Sequence, residues 1–176
     1  MIFTKTKIAG CYIIDLELHE DNRGVFARLF CEDEFRSQGL DPSIAQINTA
    51  QSLYAGTLRG MHYQTAPHSD TKLVKCLRGA IFDVCLDLRP DSPTFCEWVS
   101  VELSDENRRM LFLPAGTAHG YQTISDATEI MYTTNQDYAP QSATGVRYND
   151  KRFKIRWPGE VTSISEADRS WPDYKY

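Results

Sequence analysis

The stretch Leu58-Arg59-Gly60-Met61-His62-Tyr63-Gln64, followed after a short polar turn by Lys72-Leu73-Val74, brings an imidazole and two cations within about fifteen residues of one another. β-Branched and aromatic residues dominate from Leu73 to Leu88, and side chains that alternate between faces with a period of two read as strand. Lys72, Val74 and Cys76 then share a face. In the first strand His62 shares its face with Leu58 and Gln64, which leaves Arg59 opposite unless Gly60 makes a bulge that turns both inward. Taken alone, His62 is no motif and reads as a hydrogen-bonded structural residue before it reads as a catalyst.

Downstream, strands near 80–88, 97–103 and 109–113 are divided by Arg78-Gly79, Pro90-Asp91-Ser92-Pro93 and Ser104-Asp105-Glu106-Asn107. Pro114 to Gly120 turns the chain into a strand at 119–124, where His119, Tyr121 and Thr123 share a face. In the next strand Ile130, Tyr132 and Thr134 form one face and Glu129, Met131 and Thr133 the other. Short strands at regular spacing imply a sandwich or barrel.

Upstream, residues 8–18 read as a strand, and Asp21-Asn22-Arg23-Gly24 makes a hairpin turn into 25–30. Arg23 in that turn is either solvated or an anion contact. Residues 31–38 form a short helix stopped by Gly39. A strand at 44–50 puts Gln46 and Asn48 on one face, either toward solvent or as hydrogen-bonders in a pocket. Beyond Pro140 the chain is loop-like to Asp150. Phe153–Pro158 reads as an edge strand, and Ser163-Ile164-Ser165-Glu166 as a capping box with Asp168 in the helical turn behind it. A first-turn carboxylate has an adequate structural reason to be there.

At 176 residues the chain makes one domain, 1–176, and 41% apolar with 24% charged residues is ordinary for a globular one. The longest apolar runs are strand-sized, so no membrane span is expected. No secretory signal is evident, which makes the cytoplasm the default compartment. Cys11, Cys31, Cys76, Cys85 and Cys96 are odd in number and lack CxxC spacing, which argues against a disulfide framework and against a zinc site. A net charge of −5 gives no field for nucleic acid, although a few arginines lining one pocket can bind phosphate whatever the global charge.

Pro114-x-Gly116-x-x-His119 resembles the second half-motif of the cupin double-stranded β-helix, an all-β jelly-roll barrel. Metal cupins supply His-x-His and a following Glu in the first half. Here His62-Tyr63-Gln64 stands in that place and with His119 leaves too few nitrogen ligands for a typical catalytic metal, so a metal-free pocket is expected. With Phe82-Asp83-Val84, Asp87-Leu88-Arg89, Ser92-Pro93-Thr94-Phe95, His119-Gly120 and Trp157-Pro158 added, nearly the whole chain resembles the dTDP-4-dehydrorhamnose 3,5-epimerase family.

That resemblance implies a cofactor-independent epimerase acting on a nucleotide-diphosphate 4-keto-6-deoxy sugar, assembled as a homodimer. His62 maps to the base, Asp168 to the carboxylate that orients it, Lys72 to the cation beside the ketone oxygen and Tyr132 to the acid on the opposite face. Arg59, His119 and Tyr138 map to the pocket. Gln46, Asn48 and Arg23 map to nucleotide and diphosphate contacts, with Arg23 reaching across a dimer interface. An open edge on the apolar strand 11–16 points the same way. Thr133, Asp137-Tyr138 and the short tail past Asp168 depart from the family's pattern, which leaves open which sugar is used and whether C3, C5 or both are inverted. A metal-dependent cupin isomerase or oxygenase and a non-catalytic sugar-binding cupin are the competing readings.

Overall fold

In the computed structural model, which describes residues 1–175, two antiparallel sheets face each other. The first runs β1 (Ile2–Lys5), β2 (Tyr12–Asp15), β10 (Met110–Leu113), β7 (Lys72–Arg78), β12 (Thr128–Thr134) and β5 (Gln46–Ser52). The second runs β13 (Ala143–Gly145), β6 (Thr57–Gln64), β11 (Thr117–Thr123), β8 (Ala80–Asp87) and β9 (Trp98–Ser104), with β14 (Ser163–Ile164) parallel beside β6. A separate hairpin joins β3 (His19–Asp21) to β4 (Gly24–Phe26), and α1 (Glu32–Ser37) and α2 (Glu166–Ser170) are single short helices. This is the sandwich that the strand spacing implies and the cupin-type double-stranded β-helix that the resemblance implies.

Apolar side chains fill three layers. Between the sheets lie Ile8, Cys11, Val74, Cys76, Ile81, Cys85, Leu103, Leu111 and Ile130. The outer face of the first sheet carries Tyr12, Ile14, Leu73, Met110 and Phe112, which Phe35 of α1 covers. On the outer face of the second sheet Met61, Val84, Leu86 and Ala118 are covered by Val146 and Phe153, with Ile155 and Trp157 packed alongside. The five cysteines are free thiols.

Several boundaries differ from the sequence reading. Residues 8–18 yield only β2, because Gly10 takes φ +83° and turns the chain, and the preceding residues give the unforeseen edge strand β1. The strand at 11–16 has no open edge, since β2 is paired on both sides, to β1 and to β10. The hairpin's second arm stops at Phe26, short of residue 30.

Phe153–Pro158 is not an edge strand. Its alternating apolar residues lie on the outer face of the second sheet, and Lys154 at φ +52° breaks the extended backbone. The capping box is shifted: Ser163 and Ile164 pair with β6, and Ser165 caps α2 by accepting from the Asp168 N–H at 3.0 Å. Position 176, the end of the expected 1–176 domain, lies outside the described residues.

The Asp87-Leu88-Arg89 and Ser92-Pro93-Thr94 motifs build one buried knot at the end of β8. The fully buried Asp87 carboxylate accepts from Arg89 Nε and Nη2 (both 2.8 Å), Ser92 Oγ (2.6 Å) and Thr94 Oγ1 (2.7 Å). Burial alone would raise this carboxyl, but the Arg89, Ser92 and Thr94 donors outweigh it and hold it at about 2. The resulting stability is fully present above the unfolded value near 4 and is lost as pH falls through about 2. Urea denaturation across pH should therefore show a loss on the order of 2 kcal/mol from this group over that window. Asp87→Asn should be less stable at pH 7 and should lack that part of the slope.

Candidate active site

The site begins with a pairing irregularity in β6. His62 lies opposite His119 and Arg59 opposite Tyr121, so Gly60 and Met61 together face Gly120, two residues against one. Gly60 takes φ +133°, and a Cβ there would lie 2.5 Å from the Gly120 Cα. Only glycine satisfies both conditions. Cross-strand partners share a face, so the extra residue brings Arg59 and His62 to the same inner face, with His119 and Tyr121. Leu58, opposite Gln122, goes to the other.

Across the sandwich, the first sheet contributes three rows. Lys72, Thr134 and Gln46 form one, Val74, Tyr132 and Asn48 the next, Cys76, Ile130 and Ala50 the third. The third row belongs to the apolar core, and the first is polar. Between the sheets these rows border a cavity of about 980 Å³ lined by His62, Lys72, Tyr132, Asp168, Arg59 and His119, among others. Gln46, Asn48 and Tyr138 line it too. That is room for a nucleotide sugar.

His62 is half exposed to the cavity, and its Nε2 lies 2.5 Å from Oδ1 of the buried Asp168, 106 residues away in the chain. Asp168 is held by its N-cap bond to Ser165 and by the Gly60 N–H, which donates to its Oδ2 at 3.2 Å. Burial pushes the Asp168 carboxyl up, but the His62 and Gly60 hydrogen bonds pull it below its usual range. A carboxylate accepting from Nε2 leaves the lone pair on Nδ1, the tautomer suited to taking a proton.

Lys72 Nζ pairs with Asp70 Oδ2 at 2.5 Å, with both side chains largely buried. Burial, and then the charge of Asp70, push the Tyr132 hydroxyl above its ordinary range, so it is a proton donor at neutral pH. His119 Nε2 meets the fully buried Asp83 Oδ1 at 2.6 Å, a second imidazole–carboxylate pair. Burial raises the Tyr121 hydroxyl to about 12.

Gln64 fixes the rim. Its Nε2 donates to the carbonyls of His68 (2.9 Å) and Asp137 (3.3 Å) and its Oε1 accepts from Ala139 N–H (2.7 Å), so it grips the backbone on both sides of Tyr138.

Nine of the ten residues singled out in the sequence thus line one cavity. Arg23 does not: it sits in the β3–β4 turn, 86% exposed and paired with Asp21 at 2.6 Å. Of the departures, Thr133 alternates away from the cavity and the Asp137 side chain is not part of its wall. Asp70, Asp83 and Tyr121, to which the sequence assigns no role, stand beside these residues. Asp83 had a readable signal, a charge inside an apolar strand, where burial demands a partner. Asp70 stands two residues before Lys72, the spacing that returns an extended chain to the same side. Among the described residues no three His, Cys, Asp or Glu side chains gather as a metal site.

The fold and this cavity define a cupin-type domain with candidate base, acid and cation side chains around one pocket, and comparison narrows the class. The family model for dTDP-4-dehydrorhamnose 3,5-epimerase matches residues 5–175, and the chain belongs to that family of isomerases. The dTDP-4-dehydrorhamnose 3,5-epimerase of Methanothermobacter thermautotrophicus is 42% identical over 96% of this chain and 92% of its own. The crystal structure of the Elizabethkingia anophelis enzyme of the same name superposes with a TM-score of 0.96 at 36% identity, covering 99% of this chain and 96% of that one. A Legionella pneumophila dTDP-6-deoxy-D-glucose-3,5-epimerase, solved with dTDP-4-keto-L-rhamnose, gives 0.89 at 36% identity, covering 95% and 89%.

Asp168→Asn keeps the shape of the side chain but no longer accepts equally at both positions, so it should favour the wrong His62 tautomer. Turnover should fall by about 10³- to 10⁴-fold with the thermal transition little changed, as single-turnover assays and melting curves would show.

Proposed function

We propose that this protein inverts C3, C5 or both in a nucleotide-diphosphate-linked 4-keto-6-deoxy sugar, the dTDP-linked form in the first place, and so serves deoxysugar synthesis such as that of rhamnose. The observation that carries the reading is that His62 stands on one sheet while Tyr132 and Lys72 stand on the sheet facing it, around a single cavity. A carbon beside a ketone loses a proton to give an enolate, and inversion requires the proton to return from the other face.

His62 takes the proton at Nδ1, and Asp168 stabilises the imidazolium that results. The Lys72 ammonium meets the negative charge growing on the ketone oxygen, and counts for more in a cavity shielded from water than in bulk solvent. Tyr132, neutral at working pH, returns a proton from the opposite side. Arg59, Gln46 and Asn48 hold the nucleotide and diphosphate, His119 and Tyr138 border the sugar, and no metal or other cofactor takes part.

The working form is a homodimer in the cytoplasm in which Arg23 completes the partner's site. Supporting this are the exposed Val25 and Phe26 on the hairpin and Ile47, Leu53 and Tyr54 on and just beyond the edge strand β5, apolar side chains that a partner would cover. Among the described residues no helix is long and apolar enough to cross a membrane.

Incubation in heavy water with a panel of nucleotide 4-keto sugars, with deuterium located by NMR, tests the reaction and identifies the carbons. Tyr132→Phe should still exchange substrate hydrogen, through return of a proton by His62 on the original face, while inverted product largely disappears. His62→Ala should abolish both. Wild-type inversion in Tyr132→Phe would remove Tyr132 as the acid. Prolonged chelation should leave the rate unchanged, whereas loss on chelation with rescue by one divalent ion would establish metal chemistry. A fully active monomer by light scattering at micromolar concentration would overturn the dimer.

A further inference from the structure

Asp70 is not among the residues that the mechanism above employs, yet it is a buried carboxylate in the wall of the same cavity, bonded to the cation on which that mechanism depends. Its place is fixed from both sides. The His68 carbonyl two residues before it accepts from Gln64, and the Thr71 N–H just after it donates to Asn135 Oδ1 at 2.7 Å. Asn135 is itself tied to Asp41 at 2.8 Å. The backbone that carries Asp70 is therefore held by the scaffold, and the long lysine side chain reaches its carboxylate.

We propose that Asp70 is a positioning residue for the reaction: it holds the Lys72 ammonium at the cavity wall in one orientation before substrate arrives. The inference rests on the proposed role of Lys72 at the ketone oxygen. An ammonium has three N–H donors on a flexible stem. With one donor committed to Asp70 the remaining two are confined to a narrow range of directions, so the charge that must meet the enolate is already in place and need not reorganise during proton transfer. The same carboxylate contributes to keeping the neighbouring Tyr132 hydroxyl protonated.

A purely structural ion pair and a positioning pair differ in their kinetics, and a double-mutant cycle separates them. Asp70→Asn preserves the shape and removes the charge. It should lower kcat by about 10²-fold, the scale of misplacing one reacting group, while KM for the nucleotide sugar moves by less than about threefold. Asp70→Glu, which restores the charge one methylene further out, should recover part of the loss. In a Lys72→Met background Asp70→Asn should cost less than about twofold more, because nothing remains to be positioned. Calorimetric binding of thymidine diphosphate shows that each variant is folded. Should Asp70→Asn fail to fold, Asp70→Glu carries the same comparison.

Wild-type kcat in Asp70→Asn, or an equal loss in the wild-type and Lys72→Met backgrounds, would overturn the inference and leave the proposed role of Lys72 standing. Wild-type kcat in Lys72→Met would remove both.

Discussion

Gly60 and Gly120 pass so closely that neither strand could bear a side chain at that crossing without moving: a Cβ on Gly60 would lie 2.5 Å from the Gly120 Cα, and one on Gly120 would lie 2.6 Å from the Met61 sulfur. The contact accommodates the extra residue of β6, and the extra residue decides which way the rest of the strand faces. Upstream of it Arg59 points inward beside Tyr121, and downstream His62 points inward beside His119. A regular strand would put one of the two outside. The Gly60 N–H, freed from the regular ladder, donates to Asp168, so the same irregularity that aims the imidazole also anchors its carboxylate.

Around that point the sandwich divides its interior by the chemistry of successive rows. Cys76, Ile130 and Ala50 close one end as packed core, and two rows further along the same strands Lys72, Thr134 and Gln46 are polar. Polar groups taken out of water need partners. Here Lys72 has Asp70, His119 has Asp83, and Gln64 satisfies three backbone groups of the rim. The pairs also set the electrostatics, since the burial that makes the Tyr132 hydroxyl a reluctant acid in isolation keeps it a proton donor at neutral pH.

The C-terminal segment does two jobs that its composition does not advertise. Phe153, Ile155 and Trp157 cover the outer face of the second sheet, and the chain then runs beside β6 to deliver Asp168. Arg147 Nε donates to the Trp171 carbonyl at 3.0 Å just beyond the helix, which closes the segment onto the sheet. Removing this covering would therefore expose apolar surface and unseat the carboxylate together.

Strand identity was legible in the sequence because local alternation reports directly on which side of a sheet a residue faces, and the faces of Lys72, Val74 and Cys76 and of Ile130, Tyr132 and Thr134 came out as read. The resemblance carried the site residues, and nine of the ten line the cavity. Alternation does not distinguish a strand that pairs from a segment that lies on a sheet, so Phe153–Pro158 reads as a strand although it pairs with none, and β1 carries no signal of its pairing. Nor does alternation say whether Gly60 interrupts the register, because a bulge exists only relative to a partner strand. Sequence alone determined the all-β class and the faces of these strands, which follow from residue type and a period of two, while the candidate site side chains came from the resemblance. The resemblance implied that Asp168 orients His62; only the tertiary structure showed the contact itself and the pairing of Asp70 with Lys72 and of Asp83 with His119. Those contacts depend on how distant strands register and close, and no local pattern encodes a distance between residues 106 positions apart.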